Sequence, residues 1–349
     1  MTPKENYLRA VRFERPDYIP MAFAINGACY DAYPQDALFE LMQTHPLLFP
    51  NFEWPEELPY RPTFAPVAKK DCPYTDDFGC VWETTVDGIT GTVTRHPLAD
   101  WENFAQYKAP NPDICTGIGP IDWEAVKKEI QNTPEQLHMG GLRHGHTFLQ
   151  LCDIRGYQDL LFDMMDEEPR LWELIQLVED FNMGIVRHYL DCGVDVMTYA
   201  EDLGMQIGPM LSPEQFQKYI KPSYQRLMQP ARDQGIPIHM HSDGDIRTLV
   251  DDLIDGGVEI LNLQDLVNGI DWIKEKLAGK VCVDLDIDRQ RITRFGTPKE
   301  IDRLIRREVA SIGSPQGGLT MIYGLYPGLP LENVKAVMDA MEKYMGYFD

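Results

Sequence analysis

The stretch Ile236-Pro237-Ile238-His239-Met240-His241-Ser242-Asp243-Gly244-Asp245-Ile246 decides how the rest of the chain is read. It begins as a short buried strand, turns, and enters a helix. Side chains alternate across a strand, so Ile236, Ile238 and Met240 share one face while Pro237, His239 and His241 share the other. Either histidine alone would read as a hydrogen-bonded core residue or a loop cap. Two imidazoles two residues apart, at the end of a strand where α/β folds keep their sites, point instead to a metal, and neutral imidazole suits zinc.

The same alternation applied outward finds more polar groups. In Val281-Cys282-Val283-Asp284-Leu285-Asp286 the valines and Leu285 oppose Cys282, Asp284 and Asp286. In the stretch 260–264, Asn262 and Gln264 oppose Leu261 and Leu263; in 194–201, Tyr199 and Glu201 share the face of Met197. Each residue alone reads as a partner for loop backbone. As a set they need donors, water or a metal, because an unpaired buried carboxylate is costly. Arg143-His144-Gly145-His146 follows another strand and reads either as an ordinary turn or as a ligand approach opened by glycine. Asp243 and Asp245 are expected to cap the helix from Ile246, with Asp243 a further metal candidate.

Around these stretches the chain alternates strand and helix. Strands are expected at 19–25, 136–142, 194–200, 236–241, 258–263, 280–286 and 318–323. Helices are expected at 3–14, 121–130, 147–153, 157–164, 169–192, 213–233, 246–256, 269–278, 298–311 and 331–345. Such alternation means a parallel sheet. No strand is followed by Gly-x-Gly-x-x-Gly, so a (β/α)8 TIM barrel is preferred to a doubly wound sheet. It would be a single domain over 1–349 with an elaborated N-terminal region, in which 40–120 covers the mouth. Seven strands are legible, and the eighth is expected within 40–120. Prolines at 46, 50, 55, 59, 62, 66 and 73 argue against long elements between 30 and 80. Val86-Asp87-Gly88-Ile89 suggests a hairpin turn.

Lysine and arginine number 32 against 55 aspartates and glutamates, a net charge of −23 that opposes binding to nucleic acid or an anionic membrane surface. The 7 cysteines are scattered without a Cys-x-x-Cys, which implies free thiols in a reducing cytoplasm. No apolar run is long enough to span a membrane, and the first residues lack a signal core.

Asp76-Asp77-Phe78-Gly79, Arg155-Gly156, Glu201-Asp202-Leu203-Gly204, Ser212-Pro213-Glu214, the His239-Met240-His241-Ser242-Asp243-Gly244 stretch, Gly296-Thr297-Pro298 and Pro330-x-x-Asn333 occur in that order. Together they resemble the uroporphyrinogen decarboxylase superfamily, and within it the corrinoid-linked methyltransferase branch. The resemblance runs from about residue 5 to 345 and implies a (β/α)8 barrel. Two departures set the subgroup. The decarboxylases carry an arginine-rich segment after the first strand for the substrate's carboxylates. Here Met21-Ala22-Phe23-Ala24-Ile25-Asn26-Gly27 has no arginine. Methyltransferases that use coenzyme M hold zinc with His-x-Cys and a later cysteine. Here those places read His239-Met240-His241 and 321–326, without cysteine.

Imidazole and carboxylate make a harder zinc site than thiolate does, suited to oxygen. The resemblance therefore implies an O-demethylase methyltransferase, moving methyl from a small methoxylated compound, expected to be aromatic, to cobalt(I) of a corrinoid (cobalamin) carried by a partner protein. Expected metal ligands are Glu201, His239 and His241. Asp202 and Asp284 are alternates and, with the two histidines, catalytic candidates. Asn26, His144, Tyr199 and Tyr326 are expected to bind substrate. Rival expectations are decarboxylation of a small carboxylic acid, methyl transfer from methylcobalamin to a thiol, and a barrel that only binds. A homodimer is compatible with all of them.

Overall fold

A computed structural model describes residues 1–348. The chain has a mixed α/β fold of the TIM-barrel type, built on seven parallel strands. These are β1 (Met21–Ile25), β2 (Met139–Leu142), β3 (Val196–Ala200), β4 (Ile238–Ser242), β5 (Ile260–Gln264), β6 (Cys282–Asp286) and β7 (Leu319–Leu325). The chain divides into two compact units, Met1–Cys72 with Glu83–Gly91 and Gln264–Asp349, and Pro73–Trp82 with Thr92–Leu263.

In the second unit the strands run in the order β5-β4-β3-β2. Register places His241 between Ala200 of β3 and Asn262 of β5, and His239 between Thr198 and Ile260. β4 buries Ile238, Met240 and Ser242 and leaves both histidines half-buried, as alternation requires. Pro169–Cys192 is the longest helix of this unit. It opens with proline in its first turn, where the missing N–H costs nothing, and ends at Gly193 in the left-handed conformation. Leu171, Leu174, Ile175, Val178, Phe181 and Ile185 form its buried stripe. Each such side chain contributes roughly 1.5–3 kcal/mol. The expected helix 213–233 is interrupted by a π turn at Phe216–Ile220, just before Pro222, which has no N–H to bond the preceding turn.

In the first unit the order is β1-β7-β6. Met21 pairs in register with Met321, and Asp284 with Thr320. The first helix, Pro3–Val11, is fixed by a capping box between Thr2 and Glu5.

The expected eighth parallel strand does not occur among the described residues. The region 40–120 forms instead two 3-10 turns and three short strands, Tyr74–Thr75, Val81–Glu83 and Thr92–Arg95, in a small separate sheet. Its prolines lack the N–H a central strand must donate. A ten-residue helix, Gln35–Thr44, stands where no long element was expected, because Pro34 sits at its N-cap and the next proline is Pro46, so none falls inside it. Among the described residues, no helix is long and apolar enough to cross a membrane.

Candidate metal centre

The ends of three consecutive strands of the second unit bring His144, Asp202 and His241 together, the first two just past β2 and β3 and the third within β4. One ligand atom from each lies within 4.8 Å of the others, and no other group of this kind occurs among the described residues. His144 Nε2 is 3.3 Å from Asp202 Oδ1. His241 Nε2 is 3.4 Å from the same oxygen and 3.9 Å from Asp243 Oδ1.

Neighbouring groups fix these side chains. His241 Nδ1 is hydrogen-bonded to the amide oxygen of Asn262, the residue opposite it in register. That oxygen only accepts, so Nδ1 carries the proton and Nε2 faces Asp202. The Asp243 backbone N–H donates to Asp202 Oδ1 at 3.0 Å. The loops carrying Asp202 and Asp243 touch through backbone: a Cβ on Gly244, which has φ +82°, would lie 2.1 Å from the Gly204 carbonyl carbon. Arg143, stacked on Trp82 and paired with Asp153 at 2.7 Å, donates to the His144 carbonyl at 3.2 Å.

The electrostatics follow from this geometry. Burial disfavours the His241 cation, but the hydrogen bond to Asp202, the Asp243 charge and the Asn262 oxygen outweigh it and raise its pKa to about 9. Burial likewise opposes ionisation of Asp202, yet its hydrogen bonds to His144 and His241 hold it well below the usual carboxylate range. Protein alone thus supplies one anionic oxygen facing two imidazole nitrogens. A divalent cation takes the same donors without a proton.

Other expected residues lie elsewhere. His239 shares the face of His241 but stands outside the group. Glu201 is not a member either. It is fully buried, and its oxygens accept from Thr147 N–H, Leu149 N–H and the Tyr224 hydroxyl. Parity explains the difference. Tyr199 and Glu201 alternate onto the helix-packed face of β3, where the Tyr199 hydroxyl donates to the Leu227 carbonyl at 2.9 Å. Tyr199 is thereby fully buried and offers nothing to a substrate. Thr198, Ala200 and Asp202 fall on the face of the histidines. Asp245 pairs with Arg247 rather than capping a helix, and the helix starts only at Val250.

In the first unit, Asp284 accepts from Thr320 Oγ1 at 2.7 Å. The Asn26 amide donates to the Gly88 carbonyl at 3.0 Å and accepts from Ala28 N–H at 2.9 Å. Tyr326 is 43% exposed, with the Arg289 guanidinium 5.5 Å above its ring. Asn262 as the partner that orients His241 was not assigned from sequence, although the register of two in-phase strands carries that information.

The uroporphyrinogen decarboxylase (URO-D) family model matches residues 77–344. The chain belongs to this family of enzymes. It is 27% identical over 186 residues to a uroporphyrinogen decarboxylase from Thermus thermophilus, a match covering 52% of this chain and 51% of that one. A second, from Christiangramia forsetii, is 22% identical over 245 residues and 67% of each chain. The aligned part thus spans about half to two thirds of these relatives. A methyltransferase from Methanosarcina mazei has the same fold, with TM-score 0.63 and 18% identity over 99% of both chains.

Proposed function

We propose that this member of the URO-D family is a methyltransferase that takes methyl from a small methoxylated aromatic compound and hands it to the cobalt(I) of a corrinoid protein. The observation that carries the reading is the group His144, Asp202 and His241. Two imidazole nitrogens and one carboxylate oxygen are a donor set that zinc accepts in catalytic sites, with a position left for substrate. The residues fit the ion: His241 is held in one tautomer by Asn262, and Asp202 is oriented by a backbone N–H. Bound there, zinc would act as a Lewis acid toward an ether oxygen.

The protein's own groups support an oxygen donor over a thiol. No cysteine belongs to the group. Six of the seven cysteines are buried, and the exposed Cys72 lies in the other unit. The His144 side chain is 51% exposed, so a small molecule can reach the imidazole that faces Asp202.

The test joins metal analysis to turnover. Purified protein should bind about one zinc, and with a competent corrinoid protein and methoxyphenols it should convert cobalt(I) absorbance to that of methylcobalt. Failure with every methoxy donor would sink the reading. The curated relatives are named uroporphyrinogen decarboxylases, so decarboxylation is the second reading, with a small acid as the substrate we would test. Release of carbon dioxide without any corrinoid would select it. A tetrapyrrole substrate is disfavoured in either case, since Met21–Ile25 carries no arginine to meet its carboxylates.

A further inference from the structure

Glu201 is the buried carboxylate that the candidate centre leaves unused. It is adjacent to Asp202, but alternation sends the two side chains to opposite faces of the strand end. Its Oε1 accepts from Thr147 N–H at 2.9 Å and from Leu149 N–H at 2.8 Å. Its Oε2 accepts from the Tyr224 hydroxyl. Thr147 and Leu149 stand at the start of the helix Phe148–Arg155, where the first N–H groups have no partner within the helix. A carboxylate is favoured at that end. The same loop is tied to β3 a second time, by the Gly145 N–H donating to the Ala200 carbonyl at 2.8 Å. His144 lies between β2 and these anchors.

We propose that Glu201 is the positioning residue of the centre: it clamps the loop that carries His144 to the strand end that carries Asp202. In this way it sets the spacing of two of the three donors without touching the ion. One dipeptide then supplies both functions, with Asp202 facing the ligand atoms and Glu201 fastening the neighbouring loop from behind. The proposal rests on the metal reading above. Donor atoms must be held within about half an ångström of their working geometry for a site to bind well, and a loop freed from both N–H bonds loses that hold.

Glutamine and alanine at this position separate anchoring from ligation. Glu201→Gln keeps an oxygen for the two N–H groups and turns its amide nitrogen to the Tyr224 oxygen. Glu201→Ala removes all three bonds. The measurements are zinc affinity by competition with a chromophoric chelator, the visible spectrum of the cobalt(II) form, and hydrogen exchange over 143–149. In Glu201→Ala, zinc affinity should fall about ten-fold or more, the cobalt(II) bands should shift, and exchange at 143–149 should quicken. Glu201→Gln should stay within about three-fold of wild type, with an unchanged spectrum.

An equal loss in both variants would make the carboxylate a ligand and overturn the proposal. Wild-type affinity and spectrum in Glu201→Ala would overturn it too. If wild type binds neither zinc nor cobalt, the metal reading fails by itself. Exchange then decides the clamp: unchanged protection of 143–149 in Glu201→Ala refutes it, and lost protection upholds it. Should Glu201→Ala not fold, Tyr224→Phe removes one of the three bonds and should weaken zinc binding a few-fold.

Discussion

In the unit that holds Thr92–Leu263, two imidazoles converge on one oxygen of Asp202. In the unit that holds Gln264–Asp349, each strand-end carboxylate has donors of its own. Asp284 takes the Thr320 hydroxyl, Asp286 takes Arg289 at 2.7 Å, and Asp288 accepts four backbone N–H groups from Gln290 to Thr293. Asp265 accepts from Leu266 and Asp288 N–H, and burial together with the Asp265 charge pushes the nearby Glu308 acid well up. Polar residues at alternate positions are common to both units. The difference is that one unit satisfies its acids locally, while the other gathers donors that all turn to a single point. Only the second arrangement is one that a cation improves.

Asp202→Ala should break the comparison most sharply, lowering zinc affinity more than about 100-fold, since it deletes the oxygen that both histidines face. Asp284→Asn should leave the affinity within about two-fold, and equilibrium dialysis of the two variants compares the units directly. His239→Ala belongs with Asp284→Asn, and His241→Ala with Asp202→Ala.

The next effect is on stability of the metal-free protein. The His241 pKa is raised from 6.5 to about 9. A raised histidine stabilises the fold fully below its unfolded pKa and loses that contribution as pH rises through the folded value. Discounting for partial exposure and for coupling to Asp202, about 2 kcal/mol should disappear between pH 6.5 and pH 9.5. Chemical denaturation across that window should show a shallower slope in His241→Gln.

Asn262→Ala should weaken zinc about ten-fold by freeing the His241 ring, a loss measurable by the same competition assay. Smallest of all, Asp286→Asn should cost roughly 1 kcal/mol of stability through its pair with Arg289 and leave zinc binding alone. A large loss of zinc affinity in Asp286→Asn would erase the contrast between the units.

Much of the fold was legible because period and punctuation agree. Pro169–Cys192 has its proline start, its apolar stripe and its glycine stop in the sequence, and its observed bounds match the expected ones. The region 40–120 was opaque because proline forbids elements without specifying what replaces them. The site was half legible. His241 and the polar face of β5 follow from alternation, and Asp202 could have been chosen over Glu201 by carrying the same parity through β3. Which residue of a polar face finds a private donor is a matter of tertiary distance. Thr320 opposite Asp284 and Tyr224 opposite Glu201 are remote in sequence, so no local pattern announces them.

Gly204 and Gly244 meet backbone to backbone, leaving no volume for a methyl group between the loops that carry Asp202 and Asp243. A mutagenesis library aimed at new substrates could freely diversify the residues around them. One that also randomised 204 and 244 would consist almost wholly of members whose two loops are wedged apart, with no assembled centre left to select.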